Sequence, residues 1–181
     1  MSLSRYQASI PAFVQMLNNL AAILDKAEAD VGNRKIDPEV LLNYRLAPDM
    51  LPLVRQIQIA ADLAKGAAAR LAGVEVQKHD DVEKTFADLK ARLAKTAAFV
   101  QSFKPNDIDG SEDREIKLTL GEHTMSFKGQ PYLVHAQLLF PLQHRLRHSA
   151  ALRFLIGKEL FHWNHLIESV EVGRADLPVS L

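Results

Sequence analysis

The sequence predicts an all-α protein, a four-helix bundle with a small β-hairpin before the last helix. Three observations predict it. Three long stretches carry apolar residues at three- and four-residue steps, the period at which one face of an α-helix returns to a core. One stretch, beginning at Arg114, changes that period to two. Three amphipathic helices also leave an apolar trough that needs a fourth partner, and the chain from Gln130 onward is what remains to supply it.

The first stripe is Ile10, Phe13, Leu17, Leu20, Ala21, Leu24 and Ala27, which predicts a helix from about Ser4 to Val31 stopped by Gly32-Asn33. Asp37-Pro38 marks a turn or a short new helical start. A second helix is expected near Pro48-Asp49, with Asp49 as its cap and Pro52 tolerated in the first turn. Its stripe runs through Met50, Leu53, Val54, Ile57, Ala60, Ala61, Ala64, Ala67, Ala68 and Leu71 to a stop at Gly73, and the alanines permit close helix approach. Asp80 and Glu83 have the spacing of a capping box, predicting a third helix through Val82, Phe86, Leu89, Leu93, Ala97 and Val100, closed by Pro105. Ile116, Leu118 and Leu120 then alternate with polar residues, Gly121-Glu122 stands at a turn, and Met125 and Phe127 alternate again. A lone hairpin is marginal, so this one must pack on the helices.

Composition narrows the function classes. The 181 residues fit one domain with a single sizeable core, and 48% apolar with 24% charged is ordinary for a soluble globular chain. A formal net charge of zero gives no electrostatic footprint for nucleic acid or an anionic membrane. The chain has no cysteine, which excludes disulfides, thiolate ligands and a cysteine nucleophile. No apolar run approaches the ~20 residues of a membrane span, and the start lacks the layout of a secretory signal. The expected setting is the cytoplasm.

Several segments carry a family resemblance. They include Met1-Ser2-Leu3-Ser4, Ile23-Leu24-Asp25-Lys26-Ala27 and above all Leu46-Ala47-Pro48-Asp49-Met50, continuing through Pro52-Leu53, Gln56-Ile57-Gln58, Asp62 and Ala69-Arg70-Leu71-Ala72-Gly73. Asp109-Gly110, Arg114-Glu115-Ile116, Phe127, Gly129 and Tyr132-Leu133 extend it. Over residues 1 to about 133 the chain resembles an uncharacterised bacterial domain-of-unknown-function family of DinB/YfiT-like four-helix bundles. The resemblance implies an intracellular bundle, small-molecule-binding or transferase-like, with its ligand in an inter-helix cleft. The competing class is a non-enzymatic dimerising scaffold, hence a homodimer.

The resemblance stops near His135. The family continues into a fourth helix resembling P-N-F-Y-F-H-x-x-T-A-Y-x-I-L-R-H-x-G, and this chain does not. Back-translated and read with the last two bases of each codon joined to the first of the next, Ala136 to Leu142 admits P-N-F-Y-F-H, and the junctions from His148 to Phe154 admit I-L-R-H-S-G. The Trp163/Asn164 junction must read glycine. The expected organisation is therefore a bundle of three helices and a hairpin over 1–135, followed by an out-of-frame segment over 136–181 that supplies a makeshift fourth helix. In that reading part of Gln143 to Ile167 is helical and Glu171 to Leu181 is irregular. A third functional outcome follows, an inactive product of a frameshifted gene.

Two candidate sites stand out. His144 and His148, four apart, with His162 and His165, three apart, have spacings suited to a divalent metal if helical. Relatives of the DinB type often hold a metal on three histidines, so the analogy brings a divalent metal into view. The second helix, however, offers no histidine, and shifted reading explains the histidine-rich tail without selection; no metal and no other cofactor is expected. The better constellation is on helix two. Gln58 and Asp62 are i,i+4 neighbours, Asp62 and Lys65 are i,i+3, and Arg55 lies near the same face. These form either a buried hydrogen-bonded network or a solvated face with an intrahelical ion pair, and a concave cluster of Gln56, Gln58, Asp62 and Lys65 would bind a ligand. His79 and His123 are expected to face solvent, and Asp80-Asp81 to cap a helix.

Overall fold

Serine at position 4 starts the first helix by giving its side chain to the backbone. In a computed structural model of the protein, which describes residues 3–45, 48, 50–76, 78–120, 123–129 and 131–133, Ser4 Oγ accepts from the Gln7 N–H (3.2 Å) and Gln7 Oε1 accepts from the Ser4 N–H (3.1 Å). This reciprocal cap satisfies two donors that a helix start leaves open. The helix, α1, spans Arg5–Arg34 and buries Ile10, Phe13, Val14, Leu17, Leu24, Ala27 and Val31. Gly32-Asn33 does not stop it. One glycine costs a helix only about 1 kcal/mol, and the chain breaks later, where Lys35 turns left-handed (φ 53°) and Ile36 donates back to the Val31 carbonyl at 3.0 Å.

A one-turn helix, α2 (Pro38–Leu42), follows the expected start, with the Asp37 side chain accepting from the Glu39 N–H at 2.9 Å. The second long helix, α3, spans Leu53–Ala72, several residues later than the sequence suggests. Pro52 has no N–H and disfavours helical backbone in the residue before it, so the regular turns begin after it rather than around it. Asp49, the expected cap, lies outside the described residues. The stop is as predicted: Gly73 is left-handed (φ 71°), its N–H returning to the Ala69 and Arg70 carbonyls. A Cβ there would also sit 3.0 Å from the Arg114 guanidinium carbon.

The third long helix, α4, spans Phe86–Gln101 and is capped by Thr85 with Asp88, not by Asp80 with Glu83. Val82, expected inside the helix, is exposed. Both pairs have capping spacing, but Asp81 and Glu83 are drawn away by an arginine of α4 described below. Pro105 does not close this helix, which has already ended; it begins a further single turn, α5 (Pro105–Ile108). Strands β1 (Glu115–Leu120) and β2 (His123–Lys128) pair antiparallel, with Ile116 opposite Phe127 and Leu120 opposite His123. The hairpin packs as expected: Ile116 is buried, and the Phe127 and Tyr132 rings meet at 6.4 Å.

Helices α1 and α4 run antiparallel. Lys90, in the first turns of α4, bridges Asp25 and Glu28 at 2.8 Å each, while the Tyr6 N–H at the start of α1 donates to Asp109 beyond the end of α4 (3.0 Å). Fully buried Leu24, Leu71, Leu89, Val100 and Ile108 form the centre of the core, each contributing roughly 1.5–3 kcal/mol. Ala61, Ala68 and Ala69 of α3 are also fully buried, which lets its neighbours approach closely. After β2, Gly129 lies so near Ser111 that a Cβ would overlap its carbonyl oxygen, and Tyr132 and Leu133 then enter the core. The expected fourth helix, the irregular end and the five tail histidines lie outside the described residues.

Candidate functional site

Helix two brings its polar residues to one corner, where α3, the extended segment 78–84 and α4 meet. The centre is Arg92 of α4. It stands three residues after Leu89 and four before Thr96, in phase with the buried stripe, so its side chain enters the protein and is only 3% exposed. A guanidinium carries its donors in a fixed fork, and here most of the acceptors gather at one arm. Nη1 donates to Glu83 Oε1 (2.9 Å) and to the Asp80 carbonyl (3.2 Å), and stands 3.0 Å from Asp81 Oδ1. Nη2 lies 2.9 Å from Asp62 Oδ1.

Asp62 joins this corner to α3. Its Oδ1 also faces Lys65 Nζ at 3.1 Å, and Lys65 is buried, being in phase with Ala61, Ala64 and Ala68. Oδ1 itself is buried, yet the Asp62 side chain is 40% exposed, which leaves Oδ2 toward solvent. Both readings of this face therefore hold in part: the i,i+3 ion pair exists, and it is tied into a buried network. Gln58 is buried between Arg55, whose Nη1 donates to its Oε1 (3.0 Å), and Glu83, which accepts from its Nε2 (2.8 Å). Arg55 also pairs with Asp81. Gln56 is not part of the cluster; it is buried, but its Nε2 donates to the Leu51 carbonyl at the start of α3.

His79 is not solvent-facing. Its side chain is 16% exposed, with Nδ1 3.8 Å from Asp62 Oδ1. Burial, followed by the nearby charges of Lys65 and Arg92, lowers its pKa below the ordinary 6.5 against the pull of Asp62, so at neutral pH it is an uncharged imidazole. Asp81 lies below the usual carboxylate range chiefly because Arg55 donates to it. Burial works to raise Glu83, but hydrogen bonds from its own backbone, Arg92 and Gln58 outweigh this and lower it. Burial likewise opposes the charge on Arg92, and Glu83 and Asp62 overcome it. The corner thus sets three cations, Arg55, Lys65 and Arg92, against three carboxylates, Asp62, Asp81 and Glu83. His123 is the first residue of β2.

Arg92, Asp81 and Glu83 are the partners the sequence reading missed. The available signal was an arginine in phase with the apolar residues of its helix. Each carboxylate at this corner already faces a cation: Asp62 faces Lys65 and Arg92, Asp81 faces Arg55 and Arg92, and Glu83 faces Arg92. Among the described residues no three histidine or carboxylate side chains gather as metal ligands. His144 and His148 lie outside the described residues. No helix among the described residues is long and apolar enough to cross a membrane.

Comparison with known proteins agrees with this architecture. Residues 5–139 match the family described as "Domain of unknown function (DUF1993)". A solved DinB family member from Shewanella denitrificans is similar at 31% identity and a TM-score of 0.69, over 97% of this chain and 94% of that one. No curated protein matches the chain. With three long packed helices and a hairpin, the chain is an all-α DinB-like bundle and belongs to the DUF1993 domain family.

Proposed function

We propose that the protein is a small-molecule-binding bundle whose ligand engages the Asp62 corner. One observation carries the reading: a carboxylate that is 40% exposed is gripped through one oxygen by cations that are only 3–4% exposed. Its second oxygen is therefore an acceptor held in place before anything binds, and pre-organisation of this kind lowers the cost of binding. The uncharged His79 beside it adds a group that can donate or accept. The corner is charge-balanced, so its complement is a polar, donor-bearing small molecule such as an alcohol or amine rather than a polyanion. Binding in this account uses no metal or other cofactor, and its setting is the cytoplasm.

Ligand-observed NMR with a panel of small alcohols and amines tests the reading. Binders should respond to the wild-type chain and lose that response with Asp62→Asn, which keeps the shape and removes the charge. Equal binding by both proteins would place the ligand elsewhere.

The reading for residues 136–181 is an out-of-frame segment. The family match ending at residue 139, just past the seam at His135, supports it. If the native fourth helix completes the ligand cleft, this product binds more weakly than an in-frame one.

A further inference from the structure

The segment 75–83 lies across α3 and α4 as a strap that the helices hold chiefly through charged groups. Among the described residues none of its backbone groups bonds to another backbone group, and its Val82 is exposed. What closes the strap is Glu83 on Arg92 and Gln58, Asp81 on Arg92 and Arg55, and the Asp80 carbonyl on Arg92.

These contacts crowd one arm of the guanidinium. Both Glu83 oxygens accept from Nη1, at 2.9 and 3.0 Å, with the Asp80 carbonyl and Asp81 Oδ1 beside them. Arg92 Nε is buried and has no acceptor among the described residues. A carboxylate meets a guanidinium best through two parallel bonds to two nitrogens. Tethered in the strap, Glu83 does not make that pairing; an untethered carboxylate can.

The surface beneath the strap is polar, with Gln58, Lys65 and Arg92 all buried. These residues belong to α3 and α4, so their positions do not depend on the strap's own backbone. With the strap closed the corner is charge-balanced. With it lifted, Arg55, Lys65 and Arg92 would face Asp62 alone, a surplus of two positive charges. Cations left unpaired in a partly buried site are costly, so an occupant carrying two negative charges fits best. We propose that this cradle binds a small dicarboxylate, and that Asp81 and Glu83 occupy it as a built-in competitor which the ligand displaces. The two strap carboxylates, two residues apart, already meet on one arginine, and such a ligand reproduces that arrangement. The site needs no ligand on the outer Asp62 oxygen, so failure of the alcohol and amine panel would leave it standing.

Succinate is the probe, titrated into the full chain at constant ionic strength with sulfate as the control. Calorimetry reads affinity, and limited trypsin digestion reads the strap at Lys78 and Lys84, both exposed. Succinate should bind the wild type and speed cleavage at both lysines several-fold. Glu83→Gln, which keeps the shape and removes the competing charge, should bind succinate at least about tenfold more tightly and be cut faster without it. Where circular dichroism shows Glu83→Gln unfolded, Asp81→Asn, at the more exposed of the two carboxylates, carries the same expectation. Absence of succinate binding, an equal effect of sulfate, or cleavage that succinate slows or leaves unchanged would overturn the proposal. So would an affinity in the folded variant no higher than in the wild type.

Discussion

Arg92 Nη2 lies 2.9 Å from Asp62 Oδ1, and this contact ties α4 to α3 across the segment that connects them. The arginine is buried and the aspartate is not, so the two sides of the pair have different roles. Arg92 holds the segment 80–83 and the carboxylate in position, and Asp62 presents the result to solvent.

Arg92→Met should destabilise the fold by roughly 3–5 kcal/mol, because Glu83, its side chain only 12% exposed, stays enclosed without its cation. Arg92→Lys should recover only part of this, since one ammonium cannot span the fork that reaches Glu83, Asp81 and Asp62. Equilibrium urea unfolding measures both. A loss below about 1 kcal/mol for Arg92→Met would mean that the corner does not hold the fold together.

Stability should fall with pH in two separate windows. His79 has a folded pKa below its ordinary 6.5. The unfolded chain therefore takes up the proton first, and stability drops as pH falls from about 6.5 toward the folded value. Asp81 and Glu83 are also lowered, from 3.8 and 4.5. Their contribution is present above those values and is lost as pH falls through the folded ones. His79→Gln should flatten the upper window and leave the lower one intact. Thermal melts from pH 8 to pH 3 distinguish the two.

Two glycines should respond in opposite ways to alanine. At Gly129 a Cβ would come within 1.9 Å of the Ser111 backbone oxygen, which cannot swing aside. Gly129→Ala should cost about 1–3 kcal/mol or more, as overpacking does, and loosen the hairpin. At Gly66 the nearest atom is the end of the Arg70 side chain, which can move at the expense of its 3.2 Å bond to the Tyr132 hydroxyl. Helix propensity returns up to about 1 kcal/mol there, so Gly66→Ala should be close to neutral in the same melts.

Helices α1 and α3 were legible because their apolar stripes are long and their ends carry unambiguous signals, Ser4 with Gln7 at one start and Gly73 at one stop. The start of α4 was not. Asp80 with Glu83 and Thr85 with Asp88 both fit a cap, and the choice between them depends on where Arg92 reaches, a tertiary fact. On α3 the sequence placed Gln58, Asp62 and Lys65 on one face. It gave no sign that Gln56 would turn back to Leu51, or that a loop histidine would be folded in beside Asp62. Contacts within a helix can be read from spacing; contacts brought in by a connecting segment cannot.

Restoring the alternative frame after codon 135 should raise the melting temperature and sharpen the transition, since it returns a fourth helix co-evolved with the other three. Reading the gene across that codon checks the premise directly. An uninterrupted gene in closely similar sequences, with no gain from restoration, would refute the out-of-frame account and return attention to His144 and His148.

The central claim is that the solvent-facing oxygen of Asp62 contacts a ligand. The most direct measurement is a nitrogen-15 NMR titration of the wild type and of Asp62→Asn with the tightest-binding alcohol or amine of the panel. The account predicts amide shifts concentrated in residues 58–65, 79–83 and around Arg92, with affinity at least about tenfold weaker in the variant. Shifts confined to other faces, or equal affinity in both proteins, would contradict it.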